Sequence, residues 1–337
     1  GGLMIPILAL MSLGGGSFFD GLTILGTDKP EYLRVLTQEN FEGKQVSVPW
    51  PTLLTGMMFI QIFYWSTNQV IVQRAMAAKS LAEGQKGVLF ASAMKLVGPL
   101  MLCLPGIIAL HMPDLEIEKQ DQVYGAVVRH VLPDWSLGLF AAVLMGSILS
   151  SFNSALNSAS TLFSLQFYKG YMNENATEIE IVSTGKKFGI ILAIASIIIA
   201  PLLAQLDSIF QYLQKVNGIY SVPIIAIFLL GILTKHIPAL GAKIGMIVGF
   251  VSYAYFVFFP IENLHWLHMY FISFTWSIMV MLLVGYLKPK SQKEIEISDE
   301  RDPAPVDMTP WPKAKEASIV IVAVTILIYV LLSSISA

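Results

Sequence analysis

Long apolar stretches with few charged residues recur along this sequence, too many and too long for one water-soluble core to bury. Windows of about 20 predominantly apolar residues predict helices near 50–72, 88–111, 136–168, 184–205, 209–233, 238–260, 268–287 and 317–335. Composition agrees: 55% of residues are hydrophobic and only 13% charged, against about 25% charged in ordinary soluble domains. The expected fold class is all-α, a polytopic transmembrane helical bundle. A net charge of −2 offers no basic field to a nucleic acid. The single cysteine, Cys103, excludes an intrachain disulfide framework and a cysteine metal cluster.

Residues 1–13 are also apolar, but thirteen residues at ~1.5 Å each reach only about 20 Å, short of a ~30 Å hydrocarbon core. They lack the basic front of a signal peptide. The expectation is the tail of a helix whose front half lies upstream, so that the chain is a fragment. Residues 14–49 read as a loop.

Basic residues set the orientation. Alternate connections, beginning with 73–87 (Arg74, Lys79, Lys86), hold fourteen Lys and Arg, while the others, including 14–49 (Lys29, Arg34, Lys44), hold five. The richer side is expected to be cytoplasmic and the C-terminus outside. The turn at Asp207 and the loop at Glu262 carry no basic residue. The hydrophilic connection from Lys288 includes Lys293, Arg301, Pro303, Pro305, Pro310 and Pro312, and reads as a flexible cytoplasmic tether. The domain division is thus a membrane core over 1–287, a linker over 288–316 and a last helix over 317–337. Asn175-Ala176-Thr177 matches a glycosylation sequon but falls on the cytoplasmic side, where chance explains it.

Polar side chains at membrane depth are costly and tend to mark pathways. In 50–72, Gln61 and Tyr64 precede four consecutive polar residues, Ser66, Thr67, Asn68 and Gln69. Residues ~100° apart cannot all face one neighbour. The helix is interrupted here, or it is surrounded by protein and water. Interhelical hydrogen bonding is the ordinary alternative. Lys95 lies well inside 88–111, and no Asp or Glu occurs within the eight spans, which favours a pathway role over snorkelling. Lys215, near a span end, reads as a snorkelling residue. In 136–168, Ser147, Ser150, Ser151, Ser154, Asn157, Ser158, Thr161 and Ser164 form a hydroxyl-rich stripe. Such a stripe permits close packing and also offers uncharged oxygens that suit an alkali cation. His111, His130, His236, His265 and His268 sit at span edges or in loops, as surface residues do, so the expected coupling ion is sodium rather than a proton. Pro99, Pro105, Pro201 and Pro223 interrupt spans and imply kinks.

The run Phe63-Tyr64-Trp65-Ser66-Thr67-Asn68-Gln69-Val70-Ile71-Val72-Gln73-Arg74 resembles the signature stretch of the sodium/solute symporter family, especially its sodium/glucose and sodium/galactose cotransporters. Ala77-Ala78-Lys79-Ser80, Gln85-Lys86-Gly87, Ser150-Ser151, Leu156 to Phe163, Tyr212-Leu213-Gln214 and Phe228 to Gly231 continue the resemblance in order. It implies two inverted five-helix repeats plus extra helices, with this chain beginning inside the last helix of the first repeat. The N-terminal helices of the same protein are then partners to the segment. By the same resemblance, Gln61, Tyr64, Lys95 and Gln214 are solute contacts, with Tyr64 closing the site on the cytoplasmic side. Gln61 stands where galactose-type transporters have asparagine. Ser147, through its main-chain carbonyl, and Ser150 and Ser151 are sodium ligands. Asn153 replaces a serine used in some sialic-acid relatives.

These readings imply a multi-pass protein of the cell membrane, plasma or bacterial inner, that couples inward sodium flow to sugar uptake. Its partners are sodium, a small sugar and the bilayer, with no nucleic acid and no cofactor beyond the coupling ion. Two alternatives remain: another hydroxylated solute such as inositol or sialic acid, or a symporter-like sensory membrane domain. No paired carboxylates, metal cluster or nucleophile–base pair falls within the spans, so enzyme activity is not expected.

Overall fold

The computed structural model describes residues 2–33, 48–206, 208–261, 264–291 and 306–335. Of the loop residues named above, Arg34, Lys44, Asp207, Glu262, Lys293, Arg301, Pro303 and Pro305 lie outside the described residues. The described residues are helical, with one isolated bridge, between Ser80 and Asp307, and no strand. The helices are α1 (Met4–Leu13), α2 (Phe18–Thr27), α3 (Met58–Ser66), α4 (Gln69–Met76), α5 (Leu81–Lys95), α6 (Gly98–Leu102) and α7 (Leu104–Ala109). They continue with α8 (Val123–Val131), α9 (Asp134–Leu162), α10 (Glu178–Leu203), α11 (Ile209–Leu233), α12 (Ala239–Phe258), α13 (His268–Leu287) and α14 (Ala314–Ile335). The residues divide into two compact units, Gly1–Leu33 with Phe90–Ile209 and Ile319–Ala337, and Arg34–Leu89 with Phe210–Ser318.

Among the described residues, six helices are long and apolar enough to cross a membrane, and two bent pairs bring the number to eight if each pair is one span. Six of the predicted spans survive as those long helices. The two remaining predictions change. The span 88–111 is broken into α5, α6 and α7, because Pro99 and Pro105 sit in the first turn of α6 and α7. There a missing N–H costs nothing, and the chain bends by 40° between α5 and the Gly98–Ala109 segment, in line with the expected kink. Pro201 and Pro223, by contrast, lie inside continuous helices. The span 50–72 becomes a π-helical turn (Leu53–Met57), α3 and α4.

In the first unit, the expected loop 14–49 begins with a helix instead. Gly15 and Gly16 take φ of 63° and 107°, which glycine adopts freely, and the chain turns through 78° from α1 into α2. Ser17 caps α2 by accepting from the Asp20 amide at 3.2 Å. Close approach is possible only because residue 21 is glycine: a Cβ there would lie 1.9 Å from the Leu10 carbonyl oxygen. Ile5, Ala9, Leu10 and Leu25 then pack with Ile108 of α7 and Val127 of α8. Helix α8 itself lies in what the hydropathy reads as a loop, because nine residues are too few to register as a span. Helix α9 runs into a π-helical segment (Phe163–Met172), and together they form one 39-residue span. Thr177 opens α10 with a capping box: its hydroxyl accepts from the Glu180 amide, and the Glu180 carboxylate accepts from the Thr177 amide at 2.8 Å. The sequon threonine is therefore a helix cap.

In the second unit, α12 and α13 pack tightly because α12 presents Gly241, Gly245 and Gly249 at four-residue intervals along one face, and α11 approaches that face at Gly249. A Cβ at Gly245 would meet Met281 Cγ at 2.3 Å, and one at Gly249 would meet Ser277 Oγ at 2.1 Å and Pro223 Cβ at 2.8 Å. Phe59 and Phe63 of α3 join Ile225 of α11 in an apolar cluster, and the Phe59 and Phe274 rings lie 4.3 Å apart. Before α14, Leu81 donates to the Asp307 carbonyl at 2.9 Å and Trp311 donates to the Gln85 side chain at 2.7 Å, strapping the chain to the start of α5. The Thr309 hydroxyl and amide beside Asp307 hold its carboxyl below the ordinary value.

Packing this close should be intolerant of one added carbon. Gly249→Ala is expected to lower the thermal midpoint of the detergent-purified protein, at a cost of about 1–3 kcal/mol. Gly231→Ala, where a Cβ meets nothing within 4 Å, should leave it unchanged or raise it. Thermal unfolding of both variants checks this.

Candidate functional site

The polar run in 50–72 ends one helix and begins another. The Phe63 carbonyl accepts from the Thr67 amide at 2.9 Å, the Asn68 amide at 3.1 Å and the Thr67 hydroxyl at 2.9 Å, closing the end of α3. Ser66 donates its hydroxyl to the Ile62 carbonyl. Asn68 leaves the helical conformation (φ −69°, ψ 118°), and its Oδ1 accepts from the Val70 amide at 3.0 Å to start α4. Asn is among the best N-caps, since its side chain replaces the carbonyl that the break removes. The interruption is thus built from Ser66, Thr67 and Asn68, as one of the sequence alternatives held.

On α3, Phe59, Ile60 and Phe63 are buried, while Gln61 and Tyr64, three residues apart, are exposed on another side. The Gln61 Oε1 accepts from the Trp65 indole N–H at 3.2 Å, which leaves its amide N–H2 group to donate outward. The Tyr64 ring meets Trp65 edge-on at 5.5 Å. The Phe63 ring meets Tyr220 of α11 edge-on at 5.7 Å. Gln214, half-buried, is carried on the same α11, and Tyr270 of α13 donates to its main-chain oxygen at 2.6 Å. Gln61, Tyr64 and Gln214 therefore belong to one unit, on two helices joined by aromatic packing.

Lys95 and the serines belong to the other unit. Lys95 is the last residue of α5 and is exposed. A cation there faces the negative end of the helix dipole. It stands seven residues, about 10 Å, inside the predicted span that begins at residue 88. Ser147, Ser150 and Ser151 lie in the middle of α9, all three exposed. The Ser150 carbonyl accepts from the Ser154 hydroxyl at 3.0 Å. Farther along, the stripe packs: Ser158 and Ser164 are buried, and a Cβ at Gly185 of α10 would lie 3.3 Å from Ser164 Oγ. The hydroxyl stripe thus has a packing end and an exposed end, and the proposed sodium ligands are at the exposed one.

Two histidines depart from the surface expectation. His265 is buried, and the His111 side chain is almost wholly so, with its Nδ1 paired with the Ile107 carbonyl at 3.2 Å. His268 pairs through Nδ1 with the Thr55 hydroxyl at 2.6 Å. The Lys215 ammonium lies 6.0 Å from the centre of the Trp266 ring. The sequence reading gave no role to Gly218, Tyr253 or Tyr270, which back Gln214. Its available signal was a glycine one helical turn after Gln214.

The family model described as the sodium:solute symporter family matches residues 1–249. The chain is 39% identical to the uncharacterized symporter YidK of Escherichia coli (strain K12), over 98% of this chain and 56% of that protein. It is 30% identical to the sodium/glucose cotransporter of Vibrio parahaemolyticus, over 78% of this chain and 51% of that protein. It is 31% identical to the sodium/myo-inositol cotransporter 2 of Sus scrofa, over 60% of this chain and 32% of that protein. The chain spans about half the length of the first two of these relatives.

The break itself yields a test. Asn68→Ala removes the cap of α4 and should cost about 1 kcal/mol, seen as a lower thermal midpoint. Asn68→Ser keeps a capping oxygen and should recover most of the loss.

Proposed function

Since the chain belongs to the sodium:solute symporter family, we propose that it carries the second inverted repeat and later helices of a secondary active transporter. That transporter couples inward sodium flow to uptake of a sugar such as glucose or galactose by alternating access. The chain is a multi-pass membrane protein of a family of transporters, not of enzymes. The observation that carries the solute reading is the exposed polar edge of α3, where Gln61 and Tyr64 stand just before a helix break. Transporters build solute sites at such breaks, where main-chain groups and side chains both reach the pathway.

In this reading Gln61, Lys95 and Gln214 hydrogen-bond the hydroxyls of the solute, and Tyr64 covers its apolar face. Amide and ammonium groups supply the donors that a polyol needs, and an aromatic ring suits the C–H face of a sugar. Ser150 and Ser151 hydroxyls and the Ser147 carbonyl bind sodium, a hard cation that favours oxygen, without adding fixed charge to the membrane. The division follows the same scheme: a core over 1–287, a cytoplasmic linker over 288–316 and a last helix over 317–337. The basic-rich connections face the cytoplasm, and helices preceding this segment complete the site. The name of the myo-inositol relative favours keeping a cyclic polyol as the second solute reading.

The energetics are sufficient. One sodium ion falling through 100 mV supplies ~2.3 kcal/mol, and a tenfold sodium gradient adds ~1.4 kcal/mol. Together they support accumulation of about 500-fold for one sodium per solute.

Two measurements in proteoliposomes with the full-length protein test the assignments. Lys95→Ala should raise the half-saturating sugar concentration at least about tenfold, the value of a charge-assisted hydrogen bond, with a smaller change for sodium. Unchanged sugar affinity in a correctly inserted variant assigns Lys95 to packing or snorkelling. Ser150→Ala or Ser151→Ala deletes one oxygen and keeps a good helix former. Each should raise the half-saturating sodium concentration and reduce accumulation even where sugar still binds. Sodium curves identical to wild type in both variants remove the proposed sodium site.

A further inference from the structure

A carbonyl in a helix ordinarily accepts one hydrogen bond, from the amide four residues on. For Gln214 that residue is Gly218. The Gln214 carbonyl also accepts the Tyr270 hydroxyl at 2.6 Å. The ring reaches it by crossing the place where a side chain at position 218 would stand. A Cβ on Gly218 would lie 2.0 Å from Tyr270 Cε1 and 2.7 Å from Tyr253 Cζ. Both tyrosines are essentially fully buried, with ring centres 5.0 Å apart, and Trp266 meets Tyr270 edge-on at 5.8 Å. Packing alone is served by phenylalanine. The hydroxyl adds a directional bond to the main chain of Gln214 and also pairs with the Tyr253 side chain, in surroundings where an unpaired hydroxyl is costly.

The residues just before Tyr270 hold the other solute helix. Residue 56 must be glycine, since a Cβ there would lie 2.5 Å from the Leu267 carbonyl oxygen. The Thr55 hydroxyl pairs with His268 Nδ1 at 2.6 Å. Both contacts fall in the turn that leads into α3, the helix of Gln61 and Tyr64. One four-residue segment, Leu267–Tyr270, therefore grips α11 beneath Gln214 and the base of α3. It lies beyond residue 249, where the family match ends.

We propose that Tyr270 is a positioning residue for solute recognition: its hydroxyl holds the Gln214 carbonyl, fixing the rotation and height of α11 and so the direction in which the Gln214 amide meets the solute. This rests on the reading of Gln214 as a solute contact. Tyr270 does not touch the solute itself. A helix beyond the matched residues 1–249 thereby sets the geometry of the site.

The test compares wild type, Tyr270→Phe, Gln214→Ala and the double variant of the full-length protein. Sodium-dependent uptake of radiolabelled glucose, galactose and myo-inositol is measured in proteoliposomes, with hydrogen exchange over 214–219 in the absence of any solute. Tyr270→Phe should accelerate exchange over 214–219. It should raise the half-saturating concentration of the transported solute about fivefold, the weight of one net hydrogen bond, while maximal rate and sodium affinity stay within about twofold. In the Gln214→Ala background the same substitution should add almost nothing, because the two residues act in series. An equal loss in both backgrounds, or unaltered exchange, overturns the positioning role. A strong Gln214→Ala defect with no effect of Tyr270→Phe overturns this inference and leaves the solute reading standing. Faster exchange with no Gln214→Ala effect on any of the three solutes overturns the solute contact and the positioning role with it.

Discussion

Inside a bilayer, no water is at hand to satisfy a main-chain amide or carbonyl that a helix gives up. Every interruption must therefore carry its own hydrogen-bonding groups, and this constraint organises the candidate site. At the break between α3 and α4 the groups are Ser66, Thr67 and Asn68, which bond the Ile62 and Phe63 carbonyls and the Val70 amide. The polar run exists because the break exists. The break in turn leaves Gln61 and Tyr64 on the last turn and a half of α3, with their side chains exposed. At the end of α5 a different solution serves: Lys95 supplies a positive charge where the helix dipole is negative.

Close packing is the second constraint, because lipid gives little hydrophobic drive for helices to associate. The chain meets it with glycines placed where a neighbour's main chain or ring must pass. Gly21 admits the Leu10 carbonyl, Gly249 admits Ser277 and Pro223, and Gly218 admits Tyr270. The same device serves stability in the first two cases and, through the Gln214 carbonyl, bears on the proposed solute site in the third. By contrast, the apolar flanks of α9, α10 and α14 are left open, and exposed apolar side chains are ordinary in a lipid environment. Ser147, Ser150 and Ser151 of α9 are exposed together with apolar neighbours such as Ile148 and Leu149.

The sequence by itself determined the fold class and most long helices. Charge-free length is a local property, and α11 and α13 fall where hydropathy predicts them. It also marked 66–69 as irregular, because four adjacent polar residues cannot share one helical face, but it left an interrupted helix and a helix surrounded by protein and water as alternatives. Other signals were local but went unread: the Thr177-x-x-Glu180 cap and the four-residue glycine spacing of α12 are both written in the chain. Helices α2 and α8 escaped because ten and nine residues are too short for a span window, whatever their conformation. Only tertiary structure could decide that His111 and His265 are buried, that the stripe on α9 packs at one end and lies exposed at the other, and that Tyr270 reaches the Gln214 carbonyl. Those outcomes depend on residues distant in sequence, 56 positions apart in the last case, meeting at contact distance. Periodicity reports which side of a helix differs from the others, but not which neighbour that side will meet.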